Sequence, residues 1–470
     1  MDHLSGLDAS FLHLETTEMP MHVGGLHLLE LPPAEHAEFA DRLKRHIADR
    51  MHLAPVFHRK LALMPFELAN PVWVEDDDVD LDYHIRQVSL PRPGVMKQLE
   101  SYVGRLHSNL LDRSRPLWEF YVITGLKSGQ LAFYTKIHHA ALDGQGAMVL
   151  AQALLDITPE PRKVEPPEPR DHDPMPAGRS LLAAALRSTV SQCVNLARAV
   201  PGGVRSAVKL GLPRKFGMAP RTPFNTSITN QRAFATFSAD LKEVAAIGKA
   251  FDAKVNDAVL GIVSGALRRY LVEHEALPVK PLVAAVPVSL REQGNADINN
   301  QVSMLFQRIA TDIEDPSERM RTIAANGAAL KETLANAKSL MPTDFPSLGL
   351  PWLMSAAVAV YGRARLADNL PPIANLAVSN VPGAQMPLYL AGAKVLSNFP
   401  VSIVTHGLAL NITVQSHDGV LDFGIIACRR TVPDLQLFAG FLEESYKELK
   451  AIAIPKKRAP RRKTAKAAGD

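Results

Sequence analysis

From Leu131 to His139 apolar side chains recur at every second position, the period of an extended strand. The pattern predicts a half-buried strand with Leu131, Phe133, Thr135, Ile137 and His139 on one face and His138 on the other. From Gln145 to Leu155 the period changes, and Met148, Leu150, Ala151, Leu154 and Leu155 recur at helical spacing. The stretch Lys136-Ile137-His138-His139-Ala140-Ala141-Leu142-Asp143-Gly144 is therefore where a strand hands over to a loop and a helix. Such a junction suits a side chain that must reach a substrate.

The same reading gives strands over His22–Leu31 and Pro281–Leu290, the second apolar enough to be buried on both faces. Helices are expected over Ala34–His46, Met96–Leu111, Val255–Leu271 and 433–450. Leu408–Gln415 and Leu421–Cys428 flank Asp418-Gly419, the signal of a tight hairpin. The acidic run from Glu75 to Asp80 reads as a solvated loop.

A chain of 470 residues exceeds one ordinary core. Punctuation divides it into a first domain at 1–158, a linker and crossover at 159–229, a second domain at 230–455 and a tail at 456–470. The linker opens with a proline-rich run, extended and exposed by expectation. The tail is rich in Lys, Arg, Ala and Pro and is expected to be disordered. The hydrophobic fraction is 47% and the charged fraction 21%, a globular balance that leaves room for an apolar pocket.

The net charge of +4 hides a local imbalance, since no acidic residue occurs between Asp173 and Asp240. With Leu181, Leu182, Ala185, Val190, Val194 and Leu196, that basic span reads as an amphipathic segment suited to an anionic lipid surface. Cys193 and Cys428 stand far apart in apolar contexts, which argues for buried thiols in a reducing compartment. Neither a secretory signal nor an apolar run of about 18 residues is found, so peripheral rather than integral membrane contact is expected.

Chemistry narrows to the histidine pair. Adjacent ligands diverge on a strand, and neither HExxH nor CxxC completes a metal site. A hydrolase elbow is missing, because Gly261-Ile262-Val263-Ser264-Gly265 has the wrong spacing. A lone imidazole with an ordinary pKa of about 6.5 can instead take a proton from a hydroxyl near neutral pH. His139 is the candidate base, and His138, on the other face, is read as structural.

His138-His139-x-x-x-Asp143-Gly144 resembles the signature of the acyltransferase superfamily of chloramphenicol acetyltransferase, peptide-synthetase condensation domains and wax ester synthases. Further blocks make the resemblance narrower. They are Leu4-Ser5-Gly6-Leu7-Asp8-Ala9-Ser10-Phe11, Pro20-Met21-His22-Val23-Gly24-Gly25, Pro116-Leu117-Trp118-Glu119, Asn256-Asp257, Val286-Pro287-Val288-Ser289-Leu290-Arg291 and Ser379-Asn380-Val381-Pro382-Gly383. From about residue 4 to about residue 450 the chain is similar to the bacterial wax ester synthase/acyl-CoA:diacylglycerol acyltransferase family.

The resemblance implies an α/β fold of two chloramphenicol-acetyltransferase-like domains, each a mostly mixed sheet with helices, with a tunnel at their interface. It implies an acyl group moving from long-chain acyl-CoA to a fatty alcohol or diacylglycerol, with His139 as base. Asn256 is implied near that histidine, as an oxyanion donor or holder of the alcohol, whereas Asp257 reads as a helix cap. Asp143 either caps the following helix or pairs with a buried arginine, for which Arg291 is the candidate. Gly144 is expected to supply backbone freedom. Pro116, Leu117 and Trp118 read as packing and pocket wall, and Asn380 as a tunnel residue in the second domain.

No metal or organic cofactor and no nucleic acid is expected. The expected partners are the two substrates and a membrane or lipid-droplet surface. The protein is expected in the cytoplasm, attached peripherally to the inner membrane or lipid inclusions, as monomer or homodimer. Two rivals remain at this point: a condensation-type enzyme using carrier-bound acyl groups, and a non-catalytic lipid-binding scaffold.

Overall fold

The computed structural model describes residues 2–4, 6–62, 70–142, 144–167, 219–289, 302–337 and 351–454. The first part of the chain runs β1 (Asp2–His3), α1 (Gly6–Leu14), β2 (His22–Glu30), α2 (Phe39–Ala48), β3 (Arg59–Ala62), β4 (Val72–Glu75), α3 (Leu81–His84), β5 (Ile85–Ser89), α4 (Met96–His107), β6 (Trp118–Thr124), β7 (Leu131–His138), α5 (Gly144–Leu154) and β8 (Leu155–Asp156). The second part runs β9 (Arg232–Asp240), α6 (Leu241–Ala250), α7 (Val255–Glu273), β10 (Val283–Ser289), β11 (Val302–Arg308), α8 (Pro316–Ala337), α9 (Pro351–Arg363), β12 (Leu376–Val381), β13 (Tyr389–Leu390), β14 (Ala393–Val401), β15 (Leu410–His417), β16 (Val420–Cys428) and α10 (Leu435–Ala453).

Two mixed sheets carry the molecule. One has the order β5-β6-β7-β2-β14-β13-β8 and the other β11-β10-β12-β15-β16-β9, while β1, β4 and β3 form a small third sheet. In the first, β5 and β6 are parallel and β6, β7 and β2 antiparallel. In the second, β10, β12 and β15 are mutually parallel. The hairpin expected at Asp418-Gly419 is present: His417 pairs with Val420, and Asp418 and Gly419 take φ of 43° and 81°. Positive φ at both positions matches the twist of the flanking strands.

The first sheet is not built from the first part of the chain alone. β14, from far downstream, pairs antiparallel with β2, with a bulge between Val395 and Ser397. The same strand packs on β15 and β16 of the second sheet. The buried Asp422 on β16 fastens it, its carboxylate accepting from the Asn398 amide at 2.7 Å and from Ser238 Oγ at 2.6 Å. At Gly424 the two sheets touch through their main chains, and a Cβ there would lie 1.6 Å from the Pro400 carbonyl oxygen.

This arrangement corrects the half-buried reading of β7. The alternation is real: Leu131, Phe133 and Ile137 join one core with Trp118 and Phe120, and Ala132 and Tyr134 join another. But every residue from Leu131 to His138 is buried. The second face is covered by Leu99 and Val103 of α4 and by Phe234, Phe399 and Ile426, contributed from the second part of the chain. Local period reports which side chains face together, and not what covers them.

Candidate active site

At the end of β7 the backbone is pulled to both neighbouring strands. The His138 amide donates to the Leu117 carbonyl beside β6 at 2.9 Å, and the His139 amide to the Met21 carbonyl beside β2 at 2.8 Å. The chain then makes one 3₁₀ turn, His139–Ala141. His138 Nδ1 accepts from the Ala140 amide at 3.1 Å, which caps the turn and leaves the proton on Nε2. Nε2 lies 3.2 Å from Glu15 Oε2.

Glu15 is the hub beneath the turn. It accepts from Arg113 Nη2 at 2.8 Å and from the Met21 amide at 3.1 Å. Burial raises its pKa, but His138, Arg113 and the Met21 amide outweigh that and hold it at about 2. His138, wholly buried, thus bridges Glu15 and the turn.

His139 is half-buried. Its ring stacks on Phe11 of α1, and α1 packs along the turn. Among the described residues Nδ1 is buried with no hydrogen-bond partner. Burial pulls its pKa down to about 4, with its own carbonyl acting against this and His138 adding to it. At neutral pH the imidazole is therefore uncharged and can accept a proton. Leu117 supports the arrangement, packing with Ala140, Ala9 and Leu12.

The other expected site residues lie in varied places. Pro116 is buried. Trp118 is fully enclosed: its indole donates to the Phe57 carbonyl at 3.2 Å and its ring stacks on His84 at 4.3 Å. It sits in the core with Phe57 and Phe120. Asn256 is the second residue of α7, half-buried, and Asp257 caps that helix by accepting the Lys254 amide at 3.0 Å. Asn380, opposite Val414 on β12, precedes a turn in which the Gly383 amide donates to Ser416 Oγ at 3.0 Å. Among the described residues no hydrogen bond, ion pair or ring contact joins Asn256 or Asn380 to His139.

Gly144 is the first residue of α5. Asp143 and Arg291, and with them the expected ion pair, lie outside the described residues, as does the basic span at 179–218. Phe11 and Glu15 were not singled out from the sequence. Phe11 closes one of the marker blocks, but a lone glutamate after a helix carries no sequence signal for burial. Among the described residues no group of three or more His, Cys, Asp or Glu is arranged to hold a metal ion.

Comparison with known proteins agrees with this fold. The family model for the wax ester synthase/diacylglycerol acyltransferase catalytic domain matches residues 4–259, and that for the WS/DGAT C-terminal domain matches 298–450. A probable diacylglycerol O-acyltransferase of Mycobacterium tuberculosis is 39% identical over 464 residues, 97% of this chain and 100% of that protein. The O-acyltransferase WSD of Acinetobacter baylyi is 33% identical over 458 residues, 94% and 96% of the two chains. The solved wax ester synthase/diacylglycerol acyltransferase of Marinobacter aquaeolei superposes with a TM-score of 0.70 at 32% identity, covering 96% and 99%. The starter condensation domain of rhizomide synthetase shares the fold, with a TM-score of 0.53 at 12% identity over 96% and 94% of the chains. The chain belongs to the wax ester synthase/diacylglycerol acyltransferase family and is an O-acyltransferase.

Proposed function

We propose that this acyltransferase moves a long-chain acyl group from acyl-CoA to a fatty alcohol or diacylglycerol by direct attack, with His139 as general base. The observation that carries the reading is the uncharged His139 ring, clamped by Phe11 at a strand end. The alcohol O–H gives its proton to the imidazole as the oxygen attacks the thioester carbonyl. The C–S bond then breaks, and the thiolate leaves and regains that proton. An ordinary thiol has a pKa of about 8.5, so departure needs little acid assistance. The step needs no covalent acyl-enzyme and no resident cofactor, because the thioester is already activated.

Asn256 is assigned to the oxyanion or the alcohol, where losing one donor costs about 3 to 4 kcal/mol. Because both acceptors are nearly insoluble in water, the proposed working place is a membrane or lipid-droplet surface reached peripherally. Among the described residues no helix is long and apolar enough to cross a membrane.

The test is thiol release by purified protein from acyl-CoA and hexadecanol without any carrier protein. A base of this kind contributes about a hundred- to ten-thousand-fold, so His139→Ala should fall by at least the lower figure. A variant keeping more than about a tenth of wild-type turnover would assign the base elsewhere. Absence of turnover in the wild type would favour the scaffold reading, and turnover only with carrier-bound acyl groups the condensation reading.

A further inference from the structure

An open cleft of about 600 Å³ lies where the chain entering the second sheet meets the segment after α9 and the end of β16. Its walls carry three guanidinium groups, Arg221, Arg365 and Arg430, and one carboxylate, Asp368. Three positive charges less one negative leave a balance of +2 in the cleft. Asp368 is already engaged: it accepts from Thr226 Oγ1 at 2.7 Å and from the Ser227 amide at 2.6 Å, and it pairs with Arg365 Nε at 2.6 Å.

The arginines are held rather than loose. Arg221 donates to the Asn225 carbonyl at 3.0 Å and the Leu370 carbonyl at 2.7 Å, and Arg430 donates to the Ser227 carbonyl. Carbonyl oxygens orient a guanidinium without discharging it. Among the described residues neither Arg221 nor Arg430 has a carboxylate partner. Each guanidinium has five N–H donors, so Arg430 and Arg365 keep several for a ligand. Two guanidinium groups without a carboxylate partner, Arg221 and Arg430, beside the Asp368-paired Arg365, are an arrangement that recognises phosphate oxygens.

The cleft also has a structural link to the reacting centre. Ser355 of α9 lies 3.5 Å from His13 on α1, two residues past the Phe11 that covers His139. From Ser355 to Arg363 the helix runs about 12 Å before the chain turns to Arg365. Acyl-CoA has this extended form, with its phosphates at one end and its thioester at the other, separated by the pantetheine arm.

We propose that the Arg221–Arg365–Arg430 cleft is the subsite for the phosphate groups of the acyl donor. The proposal rests on the acyl-CoA reading given above. The exposed Arg365 and Arg430 are the residues to change, since Arg221 also clamps main-chain carbonyls. Thiol release is measured with acyl-CoA and with the matching acyl-pantetheine, which lacks phosphates, for wild type, Arg365→Glu, Arg430→Ser and the double variant R365S/R430S. Melting temperatures confirm that each variant is folded, and Arg365→Glu serves if Arg430→Ser is not.

Each lost guanidinium–phosphate contact should raise the KM for acyl-CoA about tenfold. The KM for acyl-pantetheine should move less than about twofold, because that donor offers no phosphate to hold. An unchanged KM for acyl-CoA, or an equal rise for both donors, overturns the assignment. Loss of binding to phosphatidylglycerol vesicles with an unchanged KM for acyl-CoA also overturns it, and gives the cleft to a lipid phosphate instead. If wild type releases thiol from neither donor, the acyl-CoA reading itself has failed. The cleft is then judged by calorimetry with inorganic pyrophosphate, where equal binding by wild type and double variant excludes a phosphate site.

Discussion

The rings of Phe11 and His139 lie face to face, with centroids 3.9 Å apart and planes 16° from parallel. The phenyl group keeps water from one face of the imidazole, and burial is the main reason that the His139 pKa falls to about 4. Phe11→Ala should readmit water and move that pKa upward toward its unperturbed value of about 6.5. With His139 as base, the acid limb of the kcat/KM profile is expected near pH 4 in the wild type and should rise by on the order of one unit in Phe11→Ala. Phe11→Leu should rise less. An acid limb that stays in place in Phe11→Ala would mean that His139 does not govern it.

The two histidines should separate experimentally. His139→Ala should lose turnover and keep its melting temperature, because the ring is half-buried and no hydrogen bond of its Nδ1 is lost. His138→Ala removes the partner of a buried carboxylate and the acceptor of the Ala140 amide. Leaving a buried group without its hydrogen-bond partner costs about 1 to 3 kcal/mol. The expected result is a lower melting temperature with turnover reduced in proportion to the folded fraction. A stable but inactive His138→Ala would exchange the two roles.

Gly424→Ala tests the contact between the sheets. Its Cβ would lie 1.6 Å from the Pro400 carbonyl oxygen, and two main chains cannot yield as a side chain can. The cost should be at least about 3 kcal/mol, at the upper end of overpacking effects. Chemical denaturation reads it directly. A change below about 1 kcal/mol would show that β14 moves easily over β16.

Buried imidazoles set the response to acid. His107 is held at about pKa 3 and His27 at about 4, and His22 lies well below 6.5, chiefly through burial. As pH falls below 6.5 the unfolded chain binds protons that the folded chain refuses, so stability falls. The His107 share alone is about 2 kcal/mol at pH 5. Glu15, depressed to about 2, adds stability that is present above the usual carboxylate range and lost as pH falls through the folded value. Denaturation midpoints at pH 7, 6 and 5 should decline in that order. A midpoint unchanged between pH 7 and pH 5 would contradict this burial.

Much of the fold was legible because it is local. The run at 131–138, the two-residue turn at Asp418-Gly419 and the cap at Asp257 depend on neighbours within a few residues. The His139 turn was legible as a change of period from two to 3.6. What escaped was long-range. Nothing in Ala393–Val401 says that it will join β2 rather than a strand of its own half, and nothing near Glu15 says that Arg113 will close over it. Trp118 was open for the same reason, since a large aromatic beside a motif reads equally as wall or as core, and its packing on His84 and Phe57 is long-range.

The placement of β14 also has a consequence in time. β2 ends at Glu30 and its partner ends at Val401, so ribosomal synthesis separates the two by 371 residues. At about 5 to 20 residues per second, one edge of β2 waits roughly 20 to 75 s for its neighbour. During that wait its amides and carbonyls are open to any passing strand. A nascent chain of this protein should therefore gain from chaperones that shield strand edges, and a first half expressed alone should aggregate unless the second half is supplied beside it.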